Sequence, residues 1–294
     1  MKIPRFARSS QGFVGVTLLL LVLLVAFVGP LVATHAIDET IGVPSQPPGS
    51  GMLLGTDSLG RDVYSRLLHG GASVIILGVA ATLLSYAAGL AVGLTAGYSR
   101  SWIDPALMRS VDVLLAFPAL LLLLVLVTGL GNSIPVLLLG VMLIQLPGIA
   151  RIVRTATQEV SVRGYVEAAV ARGEKTPSIL LRDVLPNTRH ILLADAGLRF
   201  GYSILLIASM NYLGFGLQPP SADWGLSISI NQSIITLNPW AVLAPAVPLA
   251  LLTVAVNLVA DAYAASSHPA AVVRKRGQRN RTGKNRPRER RQVL

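Results

Sequence analysis

The chain has 294 residues, of which 52% are hydrophobic and only 13% charged, and it carries a formal net charge of +11 with no cysteine. The missing cysteines exclude disulfides, thiolate metal sites and cysteine nucleophiles. The two soluble domains that length alone suggests are excluded by the distribution of charge, because no Asp, Glu, Lys or Arg occurs in residues 9–37, 67–99, 113–150, 201–222 or 224–260. A bilayer core of about 30 Å takes about 20 apolar helical residues. Each of those runs is long enough, so the class is an all-α integral membrane protein.

In chain order, residues 1–12 are a basic leader (Lys2, Arg5, Arg8), followed by an apolar run over residues 13–32. The run exceeds the ~7–15 residues of a signal-peptide core. Thr34-His35-Ala36 is also a poor cleavage site, so the segment reads as a retained first transmembrane helix. Residues 33–72 form a segment outside the membrane, and the second span is expected near residues 73–96. The run over 113–150 is too long for one crossing, and Gly129-Leu130-Gly131-Asn132-Ser133 breaks it at a tight turn. This predicts helices over residues 109–130 and 134–153, the third and fourth spans. A polar loop over 154–189 leads to a fifth span near 190–213. Residues 214–240 mix Gly/Pro turns with a weakly amphipathic stretch suited to lying along the membrane or meeting a binding protein. A sixth span follows over 241–261.

Six crossings place both termini on one side. Lys and Arg flanking the spans concentrate in cytoplasmic loops. With the N-terminus inside, the cytoplasmic segments hold Arg100, Arg109, Arg151, Arg154, Arg163, Arg172, Lys175, Arg182 and Arg189 together with both termini, and the external ones hold only Arg61 and Arg66. The tail over 271–294 has ten Lys or Arg and one acid, Glu289, so the basic balance belongs to that tail, read as disordered and cytoplasmic. Such a stretch after a span is a topology signal that also meets anionic membrane lipids. Nucleic acid is not an expected partner, because the tail has no aromatic residue to stack on bases.

The loop over 154–189 carries the strongest functional signal. Residues 159–172 read as one helix ended by Gly173. A second short helix follows, with Thr176 as cap, Pro177 in its first turn and Pro186 as its stop. Glu167-Ala168-Ala169, then Gly173, then Asp183-Val184-Leu185-Pro186 resembles the EAA signature of binding-protein-dependent ABC importer permeases. Asp183 and the pair Glu174-Lys175 depart from the usual pattern. The resemblance implies a type I ABC importer permease fold: six transmembrane helices with a cytoplasmic helical coupling loop that docks on an ATPase. In that role Ala168 and Ala169 allow close helix approach and Gly173 allows the bend. Glu167 and Arg172 would pair with the partner surface, while Leu185 and Pro186 complete the signature.

Two further segments are similar to those of the dipeptide/oligopeptide/nickel subgroup. One is Leu54-Gly55-Thr56-Asp57-Ser58-Leu59-Gly60-Arg61-Asp62 after the first span, and the other is Leu213-Gly214-Phe215-Gly216-Leu217-Gln218-Pro219-Pro220 after the fifth. With Asp104-Pro105, Phe117-Pro118 and Asn257-Leu258, the likeness covers roughly residues 51–261 and points to the C-type subunit. It implies a second, B-type permease subunit, two cytoplasmic ATPase subunits holding ATP and Mg, an extracytoplasmic solute-binding protein, and a place in the bacterial cytoplasmic membrane. Peptides are the implied cargo, with nickel chelates or another small solute as the alternative. The chain departs from the subgroup at Ala262-Tyr263-Ala264-Ala265 and at Ile207-Ala208-Ser209, where relatives often carry charge.

No catalytic residue and no bound cofactor is expected in this chain. The only Gly-Lys pair, Gly283-Lys284, lacks the rest of a P-loop. The four histidines have no ligand spacing, and Asp57, Asp62 and His69 read as a solvated turn rather than a metal site. Asp195 and Arg199 lie four apart, hence on one face of the fifth span. Ionisable residues within a membrane are functional candidates, and this pair reads as one that orients the helix against a partner subunit. A self-contained secondary transporter or channel would need an internal repeat or midplane charges, and neither is evident. A non-transporting scaffold would leave the loop signature without a partner.

Overall fold

The computed structural model describes residues 9–49, 51–99 and 101–267. The first eight residues and the basic tail over 271–294 lie outside it. Five helices are long and apolar enough to cross a membrane, and one bent pair makes a sixth candidate span. The elements are α1 (Ser10–Val32), α2 (Val63–His69), α3 (Gly71–Tyr98), α4 (Ile103–Leu114), α5 (Ala119–Leu130), α6 (Ile134–Ser161), α7 (Gly164–Ala171), α8 (Thr176–Ile179), α9 (Leu185–Tyr212), α10 (Trp224–Asn231) and α11 (Trp240–Ser267). No strand occurs among the described residues.

α3 and α6 share the most extensive helix contact, α9 packs on both, and α1 and α11 pair alongside. The closeness of α3 to α6 follows from a row of glycines four apart. A methyl group at Gly93 would lie 2.5 Å from Val153 Cβ and 2.7 Å from the Ala150 carbonyl oxygen. One turn away on either side, Gly89 meets Ile149 and Gly97 meets Thr157. Lipid tails give helices no hydrophobic reason to associate, so close backbone approach through small residues supplies the attraction.

Helix α1 begins and helix α11 ends at the same end of the bundle. Gly15 near the start of α1 packs on Leu258 and Val259 near the end of α11, while Ala26, further along α1, meets Gly71 at the start of α3. Leu94 and Tyr98 at the far end of α3 pack with residues of α7 and α8. The start of α1, the end of α11 and the loop therefore share one end of the bundle, called here the loop end.

The expected third span over 109–130 is not one helix. α4 and α5 meet at 82° across residues 115–118. Pro118 forces the change, since its ring pushes the residue before it out of the helical region. α5 alone has 12 residues, about 18 Å of rise, well short of a bilayer core. α4 is tied to the loop-end half of α6 instead, through Arg154 Nε to Asp104 Oδ1 at 2.6 Å and Arg151 Nη2 to Asp112 Oδ1 at 2.5 Å.

Two expectations for the loop also change. The helix over 159–172 is broken at Val162 and Arg163, so α6 runs on to Ser161 and α7 starts afresh. Pro186 does not stop the next helix, and Lys175 rather than Thr176 is the N-cap of α8. The chain continues from α8 into α9 through one wide π turn, Leu180–Val184, with Leu185 N–H bonding Leu180 O. That turn shifts the hydrogen-bond register where proline has no N–H to give and would otherwise strike the carbonyl four residues back.

At the opposite end, the segment around residues 55–62 is a buried plug, not a solvated turn. Asp57 and Asp62 are 1% and 5% exposed. Asp57 accepts from the Leu59 and Arg61 amides and pairs with Arg61 Nε at 2.8 Å. Asp62 caps α2 by accepting from Tyr64 and Ser65. Thr56 donates to Val43 O, and Asn238 spans back to the Leu54 and Thr56 carbonyls. Gly55 and Gly60 adopt φ of +73° and +77°, and each faces backbone oxygen closer than any Cβ tolerates. His69 turns away to Ser65 O, and no metal-binding group of three His, Cys, Asp or Glu occurs among the described residues.

The segment after the fifth span does not lie free along a surface. α10 is wedged against α9 and α11. Its Trp224 is fully buried and donates to Leu67 O at 2.9 Å.

Candidate functional site

The loop is built around one apolar cluster. Val166 and Ala169 of α7, Ile179 of α8 and Val184 of the π turn are buried together with Leu94 of α3, Ile149 and Val153 of α6, and Leu192 of α9. Ala169 is the member for which small size matters, since it has no exposed surface. Buried apolar packing transmits displacement because interiors are dense and poorly compressible. The loop is thus fastened to three long helices.

α7 ends in a Schellman motif. Gly173 N–H bonds Val170 O at 2.9 Å, Glu174 N–H bonds Ala169 O at 3.2 Å, and Gly173 takes φ +77°. Arg172 is engaged inside the loop, donating from Nη2 to Glu174 Oε1 at 2.7 Å. Glu167 lies exposed in the first turn of α7, where a negative charge suits the helix N-terminus. Ala168 is exposed beside it, Leu185 is half-buried and Pro186 exposed. Around these residues Val162, Tyr165, Val170 and Leu181 are exposed among Arg163, Lys175 and Arg182. An apolar patch rimmed by charge marks an interaction surface.

Asp195 and Arg199 form an ion pair at 3.2 Å. The sequence did not show its other partners. Tyr86 of α3 donates to Asp195 Oδ2 at 2.6 Å and approaches Leu192 O at 3.1 Å. The Arg199 guanidinium lies against Gly148 of α6. The pair therefore ties α3, α6 and α9 together within this chain. A second polar node, also unseen in the sequence, lies deeper: Gln145 Nε2 donates to Ser203 Oγ at 2.7 Å, and Thr82 Oγ1 is 2.9 Å from the same oxygen. Gln145 Oε1 is buried with no partner among the described residues. The visible signal for both was a polar residue inside an uncharged run.

Fold and site together define a multi-span membrane protein whose loop is fastened to three of its long helices. Residues 89–270 match the family model described as "Binding-protein-dependent transport system inner membrane component". The chain is 33% identical over 263 residues to the di/tripeptide transport system permease protein DppC of Pseudomonas aeruginosa, covering 87% of each chain. It is 32% identical to the dipeptide transport system permease protein DppC of Alkalihalophilus pseudofirmus, over 86% of this chain and 84% of that one. To the glutathione transport system permease protein GsiD of Pectobacterium atrosepticum it is 31% identical, over 87% and 86%. The chain belongs to the binding-protein-dependent transport system inner membrane component family, with the type I ABC importer permease fold.

Proposed function

We propose that this chain is one of two permease subunits in a bacterial ABC importer of short peptides, set in the cytoplasmic membrane with both termini inside. The observation that carries the reading is the apolar cluster fastening α7 and α8 to α3, α6 and α9. Relatives named for di/tripeptide, dipeptide and glutathione transport support a short peptide as cargo. The chain is not itself an enzyme: ATP and Mg belong to two cytoplasmic ATPase subunits, since the sequence has no P-loop. The exposed rim of Tyr165, Val170 and Leu181 is the surface offered to one of them. Solute arrives on an extracytoplasmic binding protein, which meets the end carrying the plug. ATP-driven closure pushes α7, and the membrane helices alternate access to a path shared with the second permease. The open groove of about 360 Å3 lined by Leu120, Ser209, Tyr212 and Ile228 is this chain's share of that path.

The test is uptake of a labelled dipeptide by vesicles holding the full assembly and its binding protein. Glu167→Trp combined with Gly173→Leu is expected to abolish ATP-driven uptake while all subunits still copurify. Normal uptake by that variant would reject the coupling role, and transport by the chain alone without ATP would favour a self-contained carrier.

A further inference from the structure

An open groove of about 320 Å3 runs between α1, α9 and α11, lined by Leu19, Leu193, Gly197, Phe200, Val259 and Tyr263. Its walls are almost entirely carbon, and Leu193 is 57% exposed within it. The groove lies toward the loop end, because Gly15, four residues before Leu19, packs on Leu258 and Val259. Arg189 precedes Leu193 by one turn on the same face of α9 and is exposed. Its side chain makes no ion pair or hydrogen bond among the described residues. Helix α1 begins after Lys2, Arg5 and Arg8, and α11 ends before a tail with ten basic residues. An apolar slot with an exposed cation at its mouth, unpaired among the described residues, complements one molecule in a membrane: an acyl chain under a negative headgroup.

We propose that this groove holds an acyl chain of an anionic phospholipid whose headgroup is bound by Arg189. The walls take any acyl chain, so occupancy rests on shape, while the preference for negative lipid rests on Arg189. The site does not depend on which solute is carried.

Native mass spectrometry of the detergent-purified assembly, with phosphatidylglycerol or phosphatidylethanolamine added, tests both parts. One phosphatidylglycerol per copy of this chain is expected to persist, with about a fivefold preference over phosphatidylethanolamine, the size one cation near a surface confers. Arg189→Gln is expected to erase the preference while leaving phosphatidylethanolamine retention unchanged. Leu193→Trp fills the slot from α9 and is expected to remove both lipids; Leu19→Trp fills it from α1 and carries the test if the first variant fails to assemble. Absence of a retained lipid, equal retention of the two, or retention unchanged by the groove-filling variants overturns the proposal. So does a photocrosslinker at position 193 that captures the second permease subunit instead of lipid.

Discussion

Gly148 of α6 faces Arg199 of α9 so closely that a methyl group on it would lie 2.5 Å from the guanidinium Nη2. A methyl there would displace the guanidinium, the flexible end of the Arg199 side chain, from its place against α6. The contact joins α6 to a pair that Tyr86 already joins to α3.

Breaking that pair from one side strands a charge, since Arg199 and Asp195 are only 22% and 14% exposed. Asp195→Asn or Arg199→Met alone is expected to cost up to about 3 kcal/mol, most of it from the unpaired partner. The double variant is expected to recover more than half. A double-mutant cycle on thermal unfolding of the purified assembly measures this, and additive losses would show that the pair is not coupled.

The glycine row on α3 is the second sensitive feature. Gly93→Ala is expected to destabilise the chain by about 1–3 kcal/mol, because the new methyl meets the Ala150 carbonyl, which cannot rotate away. Val153→Ala in the same chain removes only the Cγ1 contact at 2.8 Å and leaves Cβ at 2.5 Å, so it is expected to restore little of the loss. Unfolding temperature and yield of membrane-inserted protein report both.

Gln145 and Ser203 are linked, yet their removal has unequal consequences. Ser203→Ala leaves Gln145 Nε2 without its acceptor and is expected to cost about 1–3 kcal/mol. Gln145→Leu loses the same hydrogen bond but also removes the buried, unpartnered Oε1, so its cost is expected to stay below about 1 kcal/mol. Equal losses would mean that the orphaned oxygen finds a partner such as water.

Asp223, outside the spans, caps α10 and accepts from Ser73 Oγ at 2.7 Å. Burial pushes its carboxyl above the ordinary carboxylate range, against the lowering effect of its hydrogen bonds. The native state then holds the proton to higher pH than the unfolded chain, so stability falls as pH rises from the ordinary carboxylate range through the raised value. Asp223→Asn keeps a cap acceptor and an amide for Ser73, and is expected to flatten that part of the stability–pH curve. An unchanged slope in thermal unfolding across that window would remove Asp223 as its source.

The spans were legible because hydropathy needs only run length, and the turn at Gly131 was legible because Gly129, Gly131, Asn132 and Ser133 gather there. The bend at Pro118 was hidden, since Leu and Val continue on its far side and hydropathy does not register direction. What holds α4 aside are Arg151 and Arg154, some forty to fifty residues away from Asp112 and Asp104, and a sequence does not announce such pairs. At the candidate site, the small buried Ala169 and the helix end at Gly173 were legible from the sequence. The roles of Tyr86 and Gly148 were not, because each acts through a contact made only when three distant helices meet. The stop expected at Pro186 failed for a local reason, the π turn that realigns the backbone ahead of it.

Gln145 and Ser203 join α6 to α9 partway along both helices, and the loop joins the same two helices at one end. By the rise per residue, about 24 Å of α6 lies between Gln145 and Ser161 and about 27 Å of α9 between Leu185 and Ser203. Two arms of nearly equal length thus run from one crosspiece to one pivot. A force received by the loop through α7 would reach the Gln145–Ser203 bond along two routes of similar length.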